Sequence, residues 1–214
     1  MPSRRPISVA LVFIASVVLA GCFTGKRPHF EESSALAAGT LTGDPAIDLL
    51  LTRLDAVTPG PATATYDALT KYGNTTRGAV VALDGTNRSI SIGDVRYVQT
   101  AAGSYTCSID VAQPCSDGWN AARIGDTLLT TDFYAGDTAK RLRRDAQAVL
   151  APAAATDETL AGMPVACVQL QLPGGTAKYC VLSNGIVALL DDGDVRVALN
   201  SYFDSADPSA FATA

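Results

Sequence analysis

The chain has 214 residues, a net charge of −5, a hydrophobic content of 48% and a charged content of only 17%. This balance excludes a disordered chain and predicts a folded domain with a substantial core. The acidic net charge argues against nucleic-acid binding, because a phosphate backbone is bound by a basic surface.

The first 22 residues have the layout of an export signal that ends at a cysteine. Arg4 and Arg5 form the basic start, residues 7–19 form an apolar run, and Leu19-Ala20-Gly21-Cys22 follows. Small residues suit a signal peptidase, and a thiol at the new N-terminus suits lipid transfer. The stretch resembles the lipobox of bacterial lipoproteins. That resemblance implies cleavage after Gly21 and acylation of Cys22 with chains such as palmitate.

We therefore predict a signal peptide at 1–21, a flexible tether at 22–43 and a single domain at 44–214. An uncleaved membrane helix is the alternative, but the apolar run is too short to span a bilayer comfortably. Cleavage removes two of the 16 basic residues and none of the 21 acidic ones, which leaves a net charge of −7. Anionic lipids do not attract such a surface, so acyl chains must anchor it. The expected location is the outer face of the cytoplasmic membrane or another envelope membrane.

The domain is predicted to begin with two helices and a meander of strands. Asp44-Pro45 is typical of a helix start, and the apolar spacing that follows predicts a helix over 45–56. Tyr66, Leu69 and Tyr72 predict a second short helix over 62–71. From Gly78 the apolar period becomes two, which predicts strands at 80–83, 89–92, 95–100 and 105–110.

The longest predicted helix covers 132–150 and ends before Pro152. Its basic residues allow two interpretations, a binding patch for anionic headgroups or an ordinary solvated face. They are Lys140, Arg141, Arg143 and Arg144.

Three turn signals in the last third predict consecutive hairpins. They are Pro173-Gly174, Asn184-Gly185 and Asp192-Gly193. With two-residue turns, Val168 lies opposite Tyr179, Val181 opposite Ala188, and Leu190 opposite Val195. One face of these strands is then wholly apolar. Its candidates for lining a ligand cavity are Val168, Leu170, Tyr179, Val181, Ile186, Ala188, Leu190, Val195 and Val197.

Four cysteines remain after Cys22 is assigned to lipid, and an even set in an oxidising compartment predicts two disulfides. Three connectivities are open from the count alone. The hairpin register places Cys167 directly opposite Cys180, which favours the local pairs Cys107–Cys115 and Cys167–Cys180. A four-thiolate zinc site is the alternative, but the short Cys-x-x-Cys clusters of such sites are missing. We predict no metal and no cofactor.

The expected fold is α+β: a curved antiparallel sheet, or half-barrel, of about eight strands in two meanders, with helices on its apolar face. The lipobox, this element order and a final strand followed by Phe211 resemble the lipoprotein-carrier family of the LolA, LppX and LprG types. The resemblance spans roughly 45–214. It implies a half-barrel partly closed by helices, with space for acyl chains between them.

The sequence offers little for catalysis. Its only histidine, His29, lies in the predicted tether, which argues against a serine or cysteine hydrolase. Asp191-Asp192-Gly193-Asp194 resembles half of a calcium loop but fits a hairpin turn better, and Trp119 fits packing. We expect a non-enzymatic, membrane-anchored lipoprotein that binds a lipid or lipoprotein ligand in a cavity. The alternative is a filled core and a protein or cell-wall partner bound at the surface. The sequence does not indicate an oligomeric state.

Overall fold

The computed structural model describes residues 36–57, 60–109, 115–127 and 129–213. The predicted signal peptide at 1–21, the lipidation site Cys22, His29 and most of the predicted tether lie outside the described residues. Within the described part of the chain, no helix combines the length and apolar character needed to cross a membrane.

One open, curved antiparallel sheet of 11 strands organises the described residues. Its strands are β1 (Ala62–Thr70), β2 (Thr75–Asp84), β3 (Asn87–Ile92), β4 (Val95–Thr100), β5 (Gly103–Ser108), β6 (Ser116–Asp117), β7 (Ala154–Leu160), β8 (Met163–Leu172), β9 (Gly175–Leu182), β10 (Val187–Asp191) and β11 (Val195–Phe203). Their spatial order is β6-β5-β4-β3-β2-β1-β11-β10-β9-β8-β7, which makes β6 and β7 the edges. The α+β class with a curved antiparallel sheet is confirmed, whereas about eight strands in two meanders is not exact, because the sheet has 11 strands.

The predicted helix over 62–71 is wrong, because this segment is strand β1. Ala62, Ala64, Tyr66 and Ala68 are buried alternately with more exposed residues, which is the period of a strand. β1 pairs with β2 on one side and with β11 on the other. The segment therefore joins the two predicted meanders into one sheet.

Strand β7 begins just after Pro152, in a segment for which the sequence predicts no strand. It pairs with β8 along its whole length, through a turn in which Ala161 and Gly162 both have positive φ. Alanine has low strand propensity, so this pairing depends on the neighbouring strand rather than on local sequence.

Three α-helices are present in the described residues: α1 (Pro45–Asp55), α2 (Ala121–Thr127) and α3 (Gly136–Ala146), with a 3₁₀-helix at Pro208–Phe211. The predicted helix over 45–56 is confirmed, and the carboxylate of Asp44 caps it by accepting from the amides of Ala46 and Ile47. The predicted helix over 132–150 is too long. Before α3 the chain turns, with the carbonyl of Asp132 accepting from the amides of Ala135 and Asp137.

The first of the three predicted hairpin registers is confirmed, with Val168 opposite Tyr179. In the second, the register shifts between Val187 and Leu189, so the predicted pairing of Val181 with Ala188 is wrong. A bulge of this kind adds one residue to a strand.

The third register is displaced by two residues, because Leu190 lies opposite Val197 rather than Val195. The two-residue turn lies at Gly193-Asp194 rather than at Asp192-Gly193. The Asp192 amide donates to the Val195 carbonyl at 3.0 Å, and the Asp192 carboxylate accepts from the amides of Asp194 and Val195. A displacement of two residues preserves the side-chain face, so the apolar face survives the error.

We call the side of the sheet that faces α1 and α3 the inner face. Tyr179 marks it, because its hydroxyl donates to the carboxylate of Asp145 on α3. The residues of α1 buried against the core are Ile47, Leu50, Leu51 and Leu54. Both helices thus lie directly on the strands of the last third of the chain.

Both predicted disulfides, Cys107–Cys115 and Cys167–Cys180, are present. Cys167 and Cys180 are directly opposite residues of β8 and β9. The same register therefore positions the apolar face and the disulfide.

Replacing both Cys167 and Cys180 by alanine should lower the free energy of unfolding by about 3 kcal/mol. A disulfide that closes a loop of about 15 residues stabilises the fold by this amount, because it lowers the conformational entropy of the unfolded chain. The sequence separation of the two cysteines is 13 residues. Urea unfolding of the variant and the oxidised wild-type protein measures the difference. A loss below about 1 kcal/mol would show that the strand pairing alone fixes the register.

Candidate functional site

A pocket of about 550 Å³ lies between the sheet and the helices, at the end of the inner face formed by β2, β3 and β4. Leu83, Arg88 and Gln99 line it from the sheet. Across from them are the C-terminal end of α1, the loop that enters α3, and Ala38 from the segment before α1. The pocket therefore has walls from several separate stretches of the chain.

Arg88 contributes the charged side chain of the sheet wall of the pocket. Arg88 and Gln99 are directly opposite residues of β3 and β4, and the Arg88 Nε donates to the Gln99 Oε1 at 2.6 Å. The Arg88 guanidinium carbon lies 4.7 Å from the centre of the Trp119 ring. A hydrogen bond and a cation–π contact thus hold the half-buried guanidinium in one orientation.

Asp132 lies on the opposite wall, beside the start of α3. Burial raises the pKa of Asp132, and the charge of Asp137 adds to this rise, while Arg88, the Gly136 amide and Lys140 act against it. A Cβ at Gly136 would collide with the Asp132 carboxylate, so glycine is what permits this close approach. The carboxyl group therefore faces the first turn of α3, where a helix N-terminus stabilises negative charge.

Tyr134 connects the same loop to the sheet. Its carbonyl accepts from the Val187 amide at 2.9 Å, and its ring makes an edge contact with Phe133. Burial raises the pKa of Tyr134, as does the neighbouring charge of Asp132, with Arg88 acting in the opposite direction. This phenol stays neutral at physiological pH and contributes a polar surface to the pocket.

A buried ion pair borders the pocket at the end of α1. Arg143, only 1% exposed, pairs with Asp55 and donates from Nε to the Thr40 carbonyl at 2.8 Å. The Asp55 carboxylate also accepts from the Gly39 amide at 2.8 Å. These bonds fix the segment that contains Ala38 against the domain. The last part of the predicted tether at 22–43 is therefore part of the folded structure.

The predicted cavity residues lie elsewhere. Val168, Leu170, Tyr179 and Val181 are fully buried under the helices. Of the other candidates, Leu190 and Val195 border a small cleft of about 70 Å³, and Ile186 borders a surface depression near Tyr202. Ala188 and Val197 are buried in the core. None of the nine lines the pocket beside Arg88, and their role as ligand contacts stays a prediction.

Three residues of the predicted basic cluster on α3 form ion pairs with carboxylates. Arg141 contacts Asp192 at 2.6 Å, Arg143 pairs with Asp55, and Arg144 contacts Asp145 at 3.3 Å. These partners lower the positive charge that the cluster offers to an anionic headgroup. The carboxylate of Asp192, from the segment that resembles a calcium loop, thus accepts hydrogen bonds within a turn and pairs with Arg141.

Glu158 lies with Cys167 and Cys180 in a cluster whose ligand atoms are within 4.8 Å of one another. The two sulfurs are bonded to each other, and Glu158 pairs with Lys178 at 2.6 Å. Because metal binding by cysteine requires a free thiolate, the cluster in this state is a structural feature of the β8–β9 hairpin.

Sequence reasoning misses Arg88, Gln99 and Asp132 as site residues. A signal for Arg88 is nevertheless present, because it shares the inward alternation of Ile90 and Ile92, both fully buried. A charged residue in register with an apolar face is a reason to expect a polar pocket at that position. Asp132 carries no such signal, because its position depends on the loop before α3.

No protein-family model matches this chain, and no curated protein matches it. Among solved structures, it is similar to MucB, with 10% sequence identity and a TM-score of 0.49 over 80% of this chain. It is also similar to MucB in complex with MucA(peri), at 13% identity and a TM-score of 0.44 over 78% of this chain. A third similar structure is the MucA/MucB complex of Pseudomonas aeruginosa, with 11% identity and a TM-score of 0.39 over 79% of this chain. The chain spans 64%, 59% and 61% of these three matched chains, respectively.

Proposed function

We propose that the protein is an exported, lipid-anchored envelope protein that binds an apolar or acylated ligand in the pocket beside Arg88 and catalyses no reaction. The observation that carries the proposal is the pocket itself, whose volume of about 550 Å³ is within the usual range for small-molecule sites. The sites of small molecules combine apolar walls with a few oriented polar groups.

Apolar side chains supply a large part of the pocket wall. Leu54 and Val57 come from α1 and the residues after it, Leu83 from β2, and Ala135 from the loop before α3. Burying apolar surface contributes about 25 cal/mol per Å², so 200 Å² of ligand contributes roughly 5 kcal/mol. An acyl chain provides such surface and requires no catalytic group.

The short stretch of sequence between the predicted lipidation site and the first pocket residue supports a role near a membrane. Ala38, in the pocket wall, belongs to the segment that leads from the predicted lipidation site Cys22 into the domain. Acylation at Cys22 keeps the pocket within a short tether of a lipid surface.

The test is to fill the pocket from Ala38, an exposed residue of its wall. In a full-length Cys22→Ser form, Ala38→Trp should weaken binding of a neutral acyl probe, the methyl ester of an anthroyloxy-labelled stearic acid, by about tenfold or more. A tryptophan at this position occupies the space that the acyl chain needs. Fluorescence titration measures the dissociation constant.

Ala37→Trp is the matched control, because Ala37 is an exposed neighbour that does not line the pocket. Its affinity for the ester should stay within about twofold of the parent protein. Lack of ester binding by the parent protein, or equal loss in both variants, would contradict the proposal.

The alternative is a non-catalytic envelope protein that binds a partner protein through its surface. The observation in its favour is edge strand β7, whose residues 154–157 are exposed and whose outer edge has no neighbouring strand among the described residues. An extended peptide binds such an edge by adding a strand. Failure of the neutral acyl probe to bind would favour this alternative.

A further inference from the structure

We propose that the ligand of this pocket carries an anionic headgroup, a carboxylate or a phosphate, that is bound by the guanidinium of Arg88. This inference rests on the proposed function, because it assigns the polar end of the ligand whose apolar part the pocket holds. The observations that carry it are the location, the orientation and the missing ion-pair partner of Arg88.

Arg88 is prepared for binding before any ligand arrives. Its Nε is occupied by Gln99 at 2.6 Å, its side chain is hydrogen-bonded to Tyr134, and the ring of Trp119 lies 4.7 Å from its guanidinium carbon. Arg88 lines the pocket, whereas Trp119 does not. The two terminal nitrogens of a guanidinium match the two oxygens of a carboxylate or phosphate, and a fixed orientation reduces the entropy lost on binding.

The charge of Arg88 is uncompensated at ion-pair distance. Across the described ranges, no carboxylate lies within 4.0 Å of its guanidinium. Of the carboxyl groups in the pocket wall, Asp55 pairs with Arg143, and Asp132 lies against Gly136 at the start of α3, where it interacts with the charge of Arg88 without forming an ion pair. A half-buried cation without a paired anion is costly, and an anionic ligand offsets that cost.

The apolar and polar parts of the pocket are close enough for one amphiphilic ligand to contact both. Leu83 and Arg88 are directly opposite residues of β2 and β3, and both line the pocket. Opposite residues of an antiparallel pair have Cβ atoms about 5 Å apart. An acyl chain that contacts Leu83 therefore brings its headgroup to Arg88 within a few bonds.

The experiment compares two probes that differ only in headgroup charge. In the full-length Cys22→Ser form, the anthroyloxy-labelled stearic acid should bind about tenfold tighter than its methyl ester, as expected for one charge-assisted pair. Arg88→Gln should remove that preference, so that acid and ester bind this variant with equal affinity. Fluorescence titration at pH 7.5 reports both constants, so the ratio is obtained for each variant.

Arg96→Gln is the charge-matched control. Arg96 is on the adjacent strand β4, outside the pocket, and its guanidinium donates to the Ala212 carbonyl at 2.7 Å. This variant should keep the preference for the acid. Loss of the preference in both variants would assign it to net charge and overturn the proposal.

The parent protein alone gives a result that does not depend on the folding of any variant. Equal affinity for acid and ester would overturn the headgroup inference and leave the proposed function standing, whereas binding of neither probe would contradict the proposed function. Displacement of the acid by inorganic phosphate at equal concentration would show that the site takes a free anion, which would also overturn the inference.

Discussion

Replacing Arg143 by alanine is expected to lower the free energy of unfolding by about 3–5 kcal/mol, the usual cost of removing one partner of a buried ion pair. Arg143 is the largest side chain among those that are almost fully buried. Its loss removes the cation that pairs with the Asp55 carboxylate and the Nε–H that donates to the Thr40 carbonyl. Urea unfolding, with an unchanged dependence on denaturant concentration, measures the difference.

The neighbouring arginine provides the control for this prediction. Arg144 is on the same helix, but its side chain is 60% exposed, and its contact with Asp145 is at the surface. Arg144→Ala should change the free energy of unfolding by less than about 1 kcal/mol, because exposed ion pairs contribute little. Similar losses in both variants would contradict a special role for the buried pair.

The same substitution should also affect the pocket. Asp55 and Ala38 both line the pocket, and Arg143 holds the segment that contains Ala38 through the Thr40 carbonyl. Loss of Arg143 frees that wall, so acyl-probe affinity should fall along with stability. The buried arginine therefore connects the folding of α1 and α3 to the shape of the candidate site.

Hydrophobic alternation is the part of the fold that the sequence reveals best. In the hairpin of β10 and β11 the apolar face is correct although the register is not, because a shift of two residues leaves every side chain on its face. Cysteine positions add an independent constraint, since Cys167 and Cys180 pair only in the observed register of β8 and β9. Local sequence was sufficient for these elements because each is a hairpin.

Strand β1 shows where local sequence is not sufficient. Tyr66 and Leu69 have helical spacing, yet Tyr66 is buried in the sheet and donates from its hydroxyl to the Val187 carbonyl at 3.0 Å. Its partners in β11 are more than 120 residues away along the chain, as the pair Ala64 and Tyr202 illustrates. Such long-range pairing overrides a short helical pattern, and no turn motif in the sequence indicates it.

The pocket is harder to predict than the sheet. Its walls combine β2 to β4, the end of α1, the loop at 132–136 and the segment around Ala38. The sequence places an apolar face correctly but does not show how closely the helices approach it. Above β8 and β9 they fill the space, and beside Arg88 they leave it open. The difference depends on side-chain packing between elements that are distant in sequence.

Gly185, in the turn between β9 and β10, lies close against the C-terminal end of α1. Its φ is +90°, and a Cβ built there would overlap the Arg53 carbonyl and lie 2.8 Å from the Val57 side chain. Because the obstacle is the backbone of a helix, it cannot move aside cheaply. Gly185→Ala should therefore lower the free energy of unfolding by about 4 kcal/mol or more, because backbone strain and overpacking act together at this position.

Gly43→Ala separates the two causes of this loss. Gly43 has the same φ of +90°, but nothing lies within 4 Å of its Cβ position. Its cost should be limited to the backbone strain of about 1–2 kcal/mol. Thermal or urea unfolding of both variants gives the comparison. Equal losses would mean that backbone conformation alone requires glycine at 185, whereas a much larger loss at Gly185 means that α1 is seated directly on the β9–β10 turn. Since Val57 also lines the pocket, Gly185→Ala should then weaken acyl-probe binding, and Gly43→Ala should leave it within about twofold of the parent protein.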